Sequence, residues 1–206
     1  MSGPVSRPPI IDLSFPHAWR AEILAARPLI LPPRHFVYPC AAEEVERGAL
    51  EVTIRPGPVQ TEAAGAGERG AQPFLATCAL GFRDPLALTG LWSTPRPGEL
   101  CAVAGGYSYL IDTAAPQRFT MIHYRPVMQI LPAAAEGLLL FVGHRSILAW
   151  GLAWGRDGQA WESEPLSDEG VTILGVEDGV LRGKGWKVQT DQETPFALDL
   201  RSGRRL

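Results

Sequence analysis

GHRSILAWG, residues 143–151, is a glycine, a short polar step and a small apolar run closed by a second glycine. Four apolar residues held between glycines are too few for a helix of ordinary length. They suit a buried strand entered through a tight turn. The phrase recurs. An offset of 38 sets Leu100 on Leu138, Gly105 on Gly143, Ser108 on Ser146 and Leu110 on Leu148, so that GGYSYLIDT (105–113) falls on the quoted stretch. A further offset of 42 sets Leu139 on Leu181 and Gly143 on Gly185. An insertion of seven residues after Trp186 then brings Ile147, Leu148, Ala149 and Trp150 onto Phe196, Ala197, Leu198 and Asp199. Each unit reads strand, glycine turn, strand, polar turn, strand. RFTMIH (118–123) and QAWESE (159–164) are the last strands of two units, and PVMQIL (126–131) and GVTILGV (170–176) are the first strands of the next ones.

A period near forty residues with four short strands is the signature of β-propeller blades. ILAWGLAWGRDGQAWESE (147–164) and FALDLRSGR (196–204) resemble the third-strand, D-x-x-x-G-turn, fourth-strand phrase of propeller repeats of the quinoprotein and WD40-like kind. The resemblance spans roughly residues 89–206. It departs from the pattern at DTAAPQRF (112–119), where a glycine turn is expected, and no Trp-Asp dipeptide ends a strand. It implies a fold and no cofactor, because no quinone-binding residue set can be matched. Three units do not close a ring. Strands at 34–39, 50–55 and 74–82 would supply one more irregular blade, or the strand at 50–55 would seal the open edge of the last unit. The expected fold is therefore all-β, a propeller-like antiparallel meander with an irregular N-terminal arm. A β-sandwich is the alternative.

The rest of the chain fits around that meander. Its 22 glycines and 19 prolines are spread throughout, which leaves room for two helices only. One is predicted over FPHAWRAEILAARP (15–28), with Pro16 near its start and Pro28 beyond its end. The other is predicted over CAAEEVERG (40–48), closed by Gly48. Leu50, Val52 and Ile54 alternate with Glu51, Thr53 and Arg55, as in a half-buried edge strand with one wet face. Residues 57–73, rich in Gly and Ala, read as a flexible surface loop. FLATCALGF (74–82) is apolar throughout and reads as a strand covered on both faces. The organisation predicted is an N-terminal arm (1–56), the loop (57–73) and a β-repeat domain (74–206), one globular unit in all.

A formal charge of −3 over 206 residues argues against a nucleic-acid binder that relies on global charge. No stretch approaches the roughly 20 apolar residues of a membrane span, and no signal peptide opens the chain, so no membrane partner and a cytoplasmic setting are expected. Cys40, Cys78 and Cys101 are widely spaced and form no C-x-x-C pair; they read as buried thiols in a reducing compartment. His17, His35, His123 and His144 show no metal-ligand spacing, so no metal is expected. There is no G-x-S-x-G, and GAGERGA (65–71) lacks the Lys-Ser/Thr of a phosphate loop.

In a propeller, the links between blades and the turns between second and third strands emerge on one face. Here the links are HYRP (123–126) and SDEG (167–170), and the turns are GGYS (105–108), GHRS (143–146) and GWKV (185–188). Tyr107, His123, Tyr124, Arg125, His144, Arg145, Trp186 and Lys187 would crowd that face, with Asp168 and Glu169 beside them. Aromatics beside cations suit a protein partner or a small anionic or sugar ligand. The plainer alternative is that the aromatics pack between sheets and the cations are solvated. The function expected is a binding or scaffold module of this loop face, with catalysis the lesser expectation. The alternative is a small hydrolase or lyase acting on a carbohydrate or anionic metabolite, with His123 or His144 as base and Arg125 as anion clamp. Exposed strand edges also admit a homodimer.

Overall fold

The structure, a computed structural model, describes residues 8–39, 48–57, 72–84, 86–152 and 158–206. Cys40, Trp154, the helix predicted over 40–48 (except Gly48) and most of the loop 57–73 lie outside the described residues. Among the described residues there is no α-helix; a 3-10 turn covers Ala134–Glu136, and the strands form four mostly antiparallel sheets, none closed into a barrel. No helix among the described residues is long and apolar enough to cross a membrane. The chain divides into two compact units, residues 1–123 and 124–206.

The first unit holds β1 (Ile10–Asp12), β2 (Trp19–Leu24), β3 (His35–Tyr38), β4 (Ala49–Pro56), β5 (Phe74–Ala79), β6 (Gly90–Ser93), β7 (Glu99–Ala104), β8 (Tyr107–Asp112) and β9 (Phe119–Met121). Sheet I runs in the order β2-β4-β5-β3, with β3 parallel to β5. Sheet II runs β1-β6-β7-β8-β9; β6 to β9 form an antiparallel meander and β1 lies parallel to β6. Side chains alternate across each strand, and the apolar set of each sheet meets in one core. Trp19, Val52, Ile54, Phe74 and Cys78 come from sheet I; Leu91, Leu100, Ala102, Tyr109 and Ile111 come from sheet II. Each large aliphatic buried this way contributes about 1.5–3 kcal/mol.

The helix expected over 15–28 is replaced by β2. Trp19, Ala21 and Ile23 turn to the core while Arg20 and Glu22 are exposed, a period of two. Ala, Arg, Glu and Leu are strong helix formers, but propensity is a weak prior, and pairing with β4 overrides it here. β4 itself is not an edge strand, since β2 and β5 flank it. Nor is its second face fully wet, because Glu51 is only 5 % exposed. The Thr77 hydroxyl donates to Glu51 Oε2 at 2.6 Å, and His35 Nε2 lies 2.8 Å from the same hydroxyl oxygen. With its one hydrogen given to Glu51, Thr77 accepts from His35, so Nε2 carries a proton. Arg27 Nε stands 3.9 Å from the other carboxylate oxygen. β5 is buried along its whole length, Thr77 included, but it stops at Ala79, short of the predicted 82, and Phe82 is 45 % exposed.

The second unit holds β10 (Gln129–Ala133), β11 (Leu138–Val142), β12 (Ile147–Gly151) and β13 (Gln159–Glu162) as sheet III, and β14 (Val171–Glu177), β15 (Val180–Lys187) and β16 (Gln192–Asp199) as sheet IV. Both sheets are antiparallel meanders of consecutive strands. Leu138, Leu140, Val142, Ile147, Ala149 and Trp161 meet Leu181, Phe196 and Leu198 in a shared core. The Trp161 indole N–H donates to the Leu200 carbonyl at 2.8 Å, which satisfies the polar end of a buried ring. The quoted stretch is β12 and the turn before it. Gly185, aligned with Gly143, is not a turn residue: it sits within β15, and the chain reverses only beyond Lys187. A Cβ at Gly185 would press on the backbone of Leu166, so close approach to the 163–170 link explains that glycine. Sheet IV has three full strands, and residues 204–206 add a short rung to β16. There Asp199 N donates to Arg204 O, and Leu206 N donates to Ala197 O.

Candidate functional site

One end of the second unit brings several of the predicted residues together. The turn 143–146 joins β11 to β12, and the link 163–170 runs from β13 to β14 across it. Backbone hydrogen bonds tie the two: Leu166 and Ser167 N–H groups donate to the Arg145 carbonyl, and Gly170 N–H to the His144 carbonyl at 2.9 Å. The same link reaches the end of β15. Asp168 N–H donates to Trp186 O at 2.8 Å, and the Asp168 carboxylate accepts the Val188 N–H at 3.1 Å. Ser167, fully buried, shares its hydroxyl hydrogen between the carbonyls of Gly170 (2.5 Å) and Trp186 (3.1 Å). The backbone here is thus held from both sides, while the side chains of His144, Arg145 and Glu169 are exposed.

A groove of about 360 Å³ opens beside this link, lined by Glu169, Gly170, Val171, Thr172, Trp186 and Glu193. Glu193 pairs with Lys184 at 3.3 Å. Trp186 and Lys187 are half-buried strand residues rather than turn residues. A larger groove, about 930 Å³, lies among Glu136, Leu138, Asp178, Val180, Asp199 and neighbouring residues of the same unit. None of the predicted site residues lines it.

Tyr124 is half-buried and acts as a clamp. Its hydroxyl accepts the Ser146 N–H at 2.7 Å and lies 2.5 Å from Ser146 Oγ, which in turn donates to Glu162 Oε1 at 3.3 Å. The order that uses every proton once runs from Tyr124 to Ser146 to Glu162. Burial pushes the Tyr124 phenol above its ordinary value, against the pull of the two Ser146 hydrogen bonds. The ring lies over Gly143, where a Cβ would sit 2.7 Å from Cζ and closer still to Cε1. Tyr107, in the first unit, does similar packing. It covers Gly81 and meets Phe82 edge-on at 6.0 Å, and the Phe82 N–H donates to the Gly105 carbonyl. At the position aligned with Ser146, Ser108 is fully buried and its hydroxyl has no hydrogen-bond partner among the described residues. His123 closes the first unit and Arg125 follows Tyr124 at the start of the second; both are exposed.

The structure therefore brings together His144, Arg145, Asp168, Glu169 and Trp186, with Lys187 adjoining, and it turns Tyr124 and Tyr107 inward as packing residues. Sequence reasoning missed Ser146, Glu162, Ser167 and Glu193. The Ser167-x-Glu169 turn, in which Glu169 N–H donates to Ser167 Oγ, is a local signal for Ser167 alone. Among the described residues no group of three or more His, Cys, Asp or Glu side chains is placed to hold a metal ion. Comparison with known proteins finds no matching family model and no matching curated protein.

Proposed function

We propose that the protein is a binding or scaffold module, built on propeller-like repeats, whose contact surface is the loop face of the second unit. The observation that carries this reading is the bracing of the 143–146 turn by the 163–170 link. A contact surface gains affinity when its backbone is ordered before the partner arrives, because less freedom is lost on binding. His144, Arg145 and Glu169 project from that braced backbone, and the Trp186 groove beside them offers an aromatic anchor. His144 is exposed on the turn and does not line either of the two grooves described above. The propeller reading draws support from β7, β11 and β12, which are buried on both faces as strands inside a stack of leaflets are, and from the period of their turns.

The test is a quantitative pull-down with wild type, a His144→Ala/Arg145→Glu variant and an Arg201→Ala control from the larger groove. A protein recovered by wild type and the control and lost with the double variant is the expected result. Equal recovery by all three refutes the face. Self-association is a second reading, favoured by β14. This edge strand makes no backbone hydrogen bond outside sheet IV among the described residues, and Leu174 on it is 61 % exposed. Leu174→Lys is expected to convert a dimer to a monomer in light scattering, and a wild type that is monomeric at high concentration removes this reading.

A further inference from the structure

In sheet I the pairing of β2 with β4 sets Arg20 directly opposite Arg55. Both lie on the face turned away from the core and both are exposed. Like charges directly across a strand pair oppose the pairing, whereas an acid at one of the two positions would favour it. Here neither is an acid. No carboxylate among the described residues lies within ion-pair distance of either guanidinium. On the same face Glu22 stands one rung on, opposite Thr53, and Glu51 is already taken by Thr77 and Arg27.

The two arginines border a groove of about 420 Å³ whose other walls are His17, Ala18, Trp19, Pro56 and Gly57. β2 is held from its other face, where the Trp19 ring is buried in the core and its indole N–H donates to the Glu99 carbonyl at 3.1 Å. Gly57 N–H donates to the Ala18 carbonyl at 2.6 Å, and a Cβ on Gly57 would press on that carbonyl. The His17 ring rests against Trp19 with centroids 4.7 Å apart. Its Nδ1 faces the Phe15 carbonyl at 3.1 Å, which can only accept, so Nδ1 carries a hydrogen and Nε2 is the nitrogen left over.

The geometry points to a phosphate-binding site in this groove, independent of the loop face of the second unit. A phosphate group between the two forks turns the Arg20–Arg55 repulsion into two attractions, and guanidinium matches tetrahedral oxyanions with paired N–H donors. Among the described residues the lining holds two arginines and a histidine and no carboxylate. The ligand class is inorganic phosphate or the phosphate of a small monoester.

Thermal unfolding of the full chain tests this, with inorganic phosphate, glycerol 3-phosphate and acetate added against chloride at equal ionic strength. Phosphate is expected to raise the wild-type midpoint beyond chloride, and acetate is not. Tighter binding of glycerol 3-phosphate than of phosphate assigns a monoester; weaker binding assigns the free ion. Arg20→Glu sets a carboxylate opposite Arg55, an attractive cross-strand pair that keeps the sheet while removing the site. This variant should melt at or above wild type in chloride and show no phosphate response. Arg55→Gln should weaken the apparent phosphate affinity about tenfold or more, as expected for loss of a charge-assisted hydrogen bond. A wild type indifferent to phosphate, an equal response in Arg20→Glu, or an acetate response matching phosphate overturns the proposal.

Discussion

Gly143→Ala is the sharpest test of the clamp at the head of β12. The new methyl group would occupy the space of the Tyr124 ring, so the ring must swing away. Its hydroxyl then leaves Ser146, breaking the bond from the Ser146 N–H at 2.7 Å and the contact with Ser146 Oγ at 2.5 Å. Ser146 is 8 % exposed, so its N–H loses a partner with little water to replace it. A net hydrogen bond is worth about 0.5–1.5 kcal/mol, and an orphaned buried donor costs about 1–3 kcal/mol. Together they set a destabilisation of about 1.5–4.5 kcal/mol. The clash exists only while the ring is present. In a Tyr124→Ala background the same Gly143→Ala change should cost less than about 0.5 kcal/mol, and reduced freedom of the unfolded chain could make it slightly favourable. A double-mutant cycle in urea, followed by tryptophan fluorescence and circular dichroism, should therefore give a coupling energy of about 1 kcal/mol or more. Equal costs in the two backgrounds would refute the argument and return Tyr124 to the candidate ligand residues.

Other outcomes follow from the first unit. Thr77→Val keeps the shape of the side chain but strips Glu51 of its hydroxyl donor, and at neutral pH it should destabilise by about 1–3 kcal/mol in a denaturant melt. His35 is held below its ordinary value of 6.5, first by burial and then by Arg27, with Glu51 opposing. Below pH 6.5 the unfolded chain therefore takes up that proton more readily than the folded one, so this contribution is complete above 6.5 and is lost as pH falls. His35→Gln should flatten the slope of stability against pH between about 7 and 5. Burial pushes the Cys78 and Cys101 thiols far up, with Glu51 and Glu99 adding to it. Iodoacetamide at about pH 8 should leave both unmodified in the native protein and alkylate them once urea unfolds it, as mass spectrometry of the peptides would show.

Much of this architecture could be read from local patterns. The apolar runs at 74–79, 138–142 and 147–151 are strands because nothing else of that length buries every side chain, and they are buried throughout. The repeat register put the links at 123–126 and 167–170, where the chain passes between sheets, and the turns at 105–108, 143–146 and 185–188; the first two fall at strand reversals, while residues 185–187 stay within β15. Residues 19–24 were misread because Ala, Glu, Leu and Arg suit a helix equally well, and only the partner strand decides. The parallel partners of β1 and β3 leave no local trace, since a strand's sequence records which face is apolar and not which neighbour it will meet. The same gap hid the site details. Placing Arg20 against Arg55, or Tyr124 against Ser146, requires knowing the pairing register first. Gly185 matched Gly143 by identity alone, and the two glycines make room for different neighbours: Tyr124 over Gly143, and the Leu166 backbone beside Gly185.

The two units differ in how far apart in sequence their strand partners lie, and that difference bears on the order of folding. Every pairing among the named strands of the second unit joins consecutive strands. In the first unit Ile10 waits for Gly90, and β3 for β5 across the whole of β4. Nearby contacts close fast and distant ones close slowly. During synthesis β1 leaves the ribosome long before its partner exists, whereas each hairpin of the second unit can zip as soon as it is made. The later-made half should therefore reach its native pairings sooner after emerging than the half that precedes it.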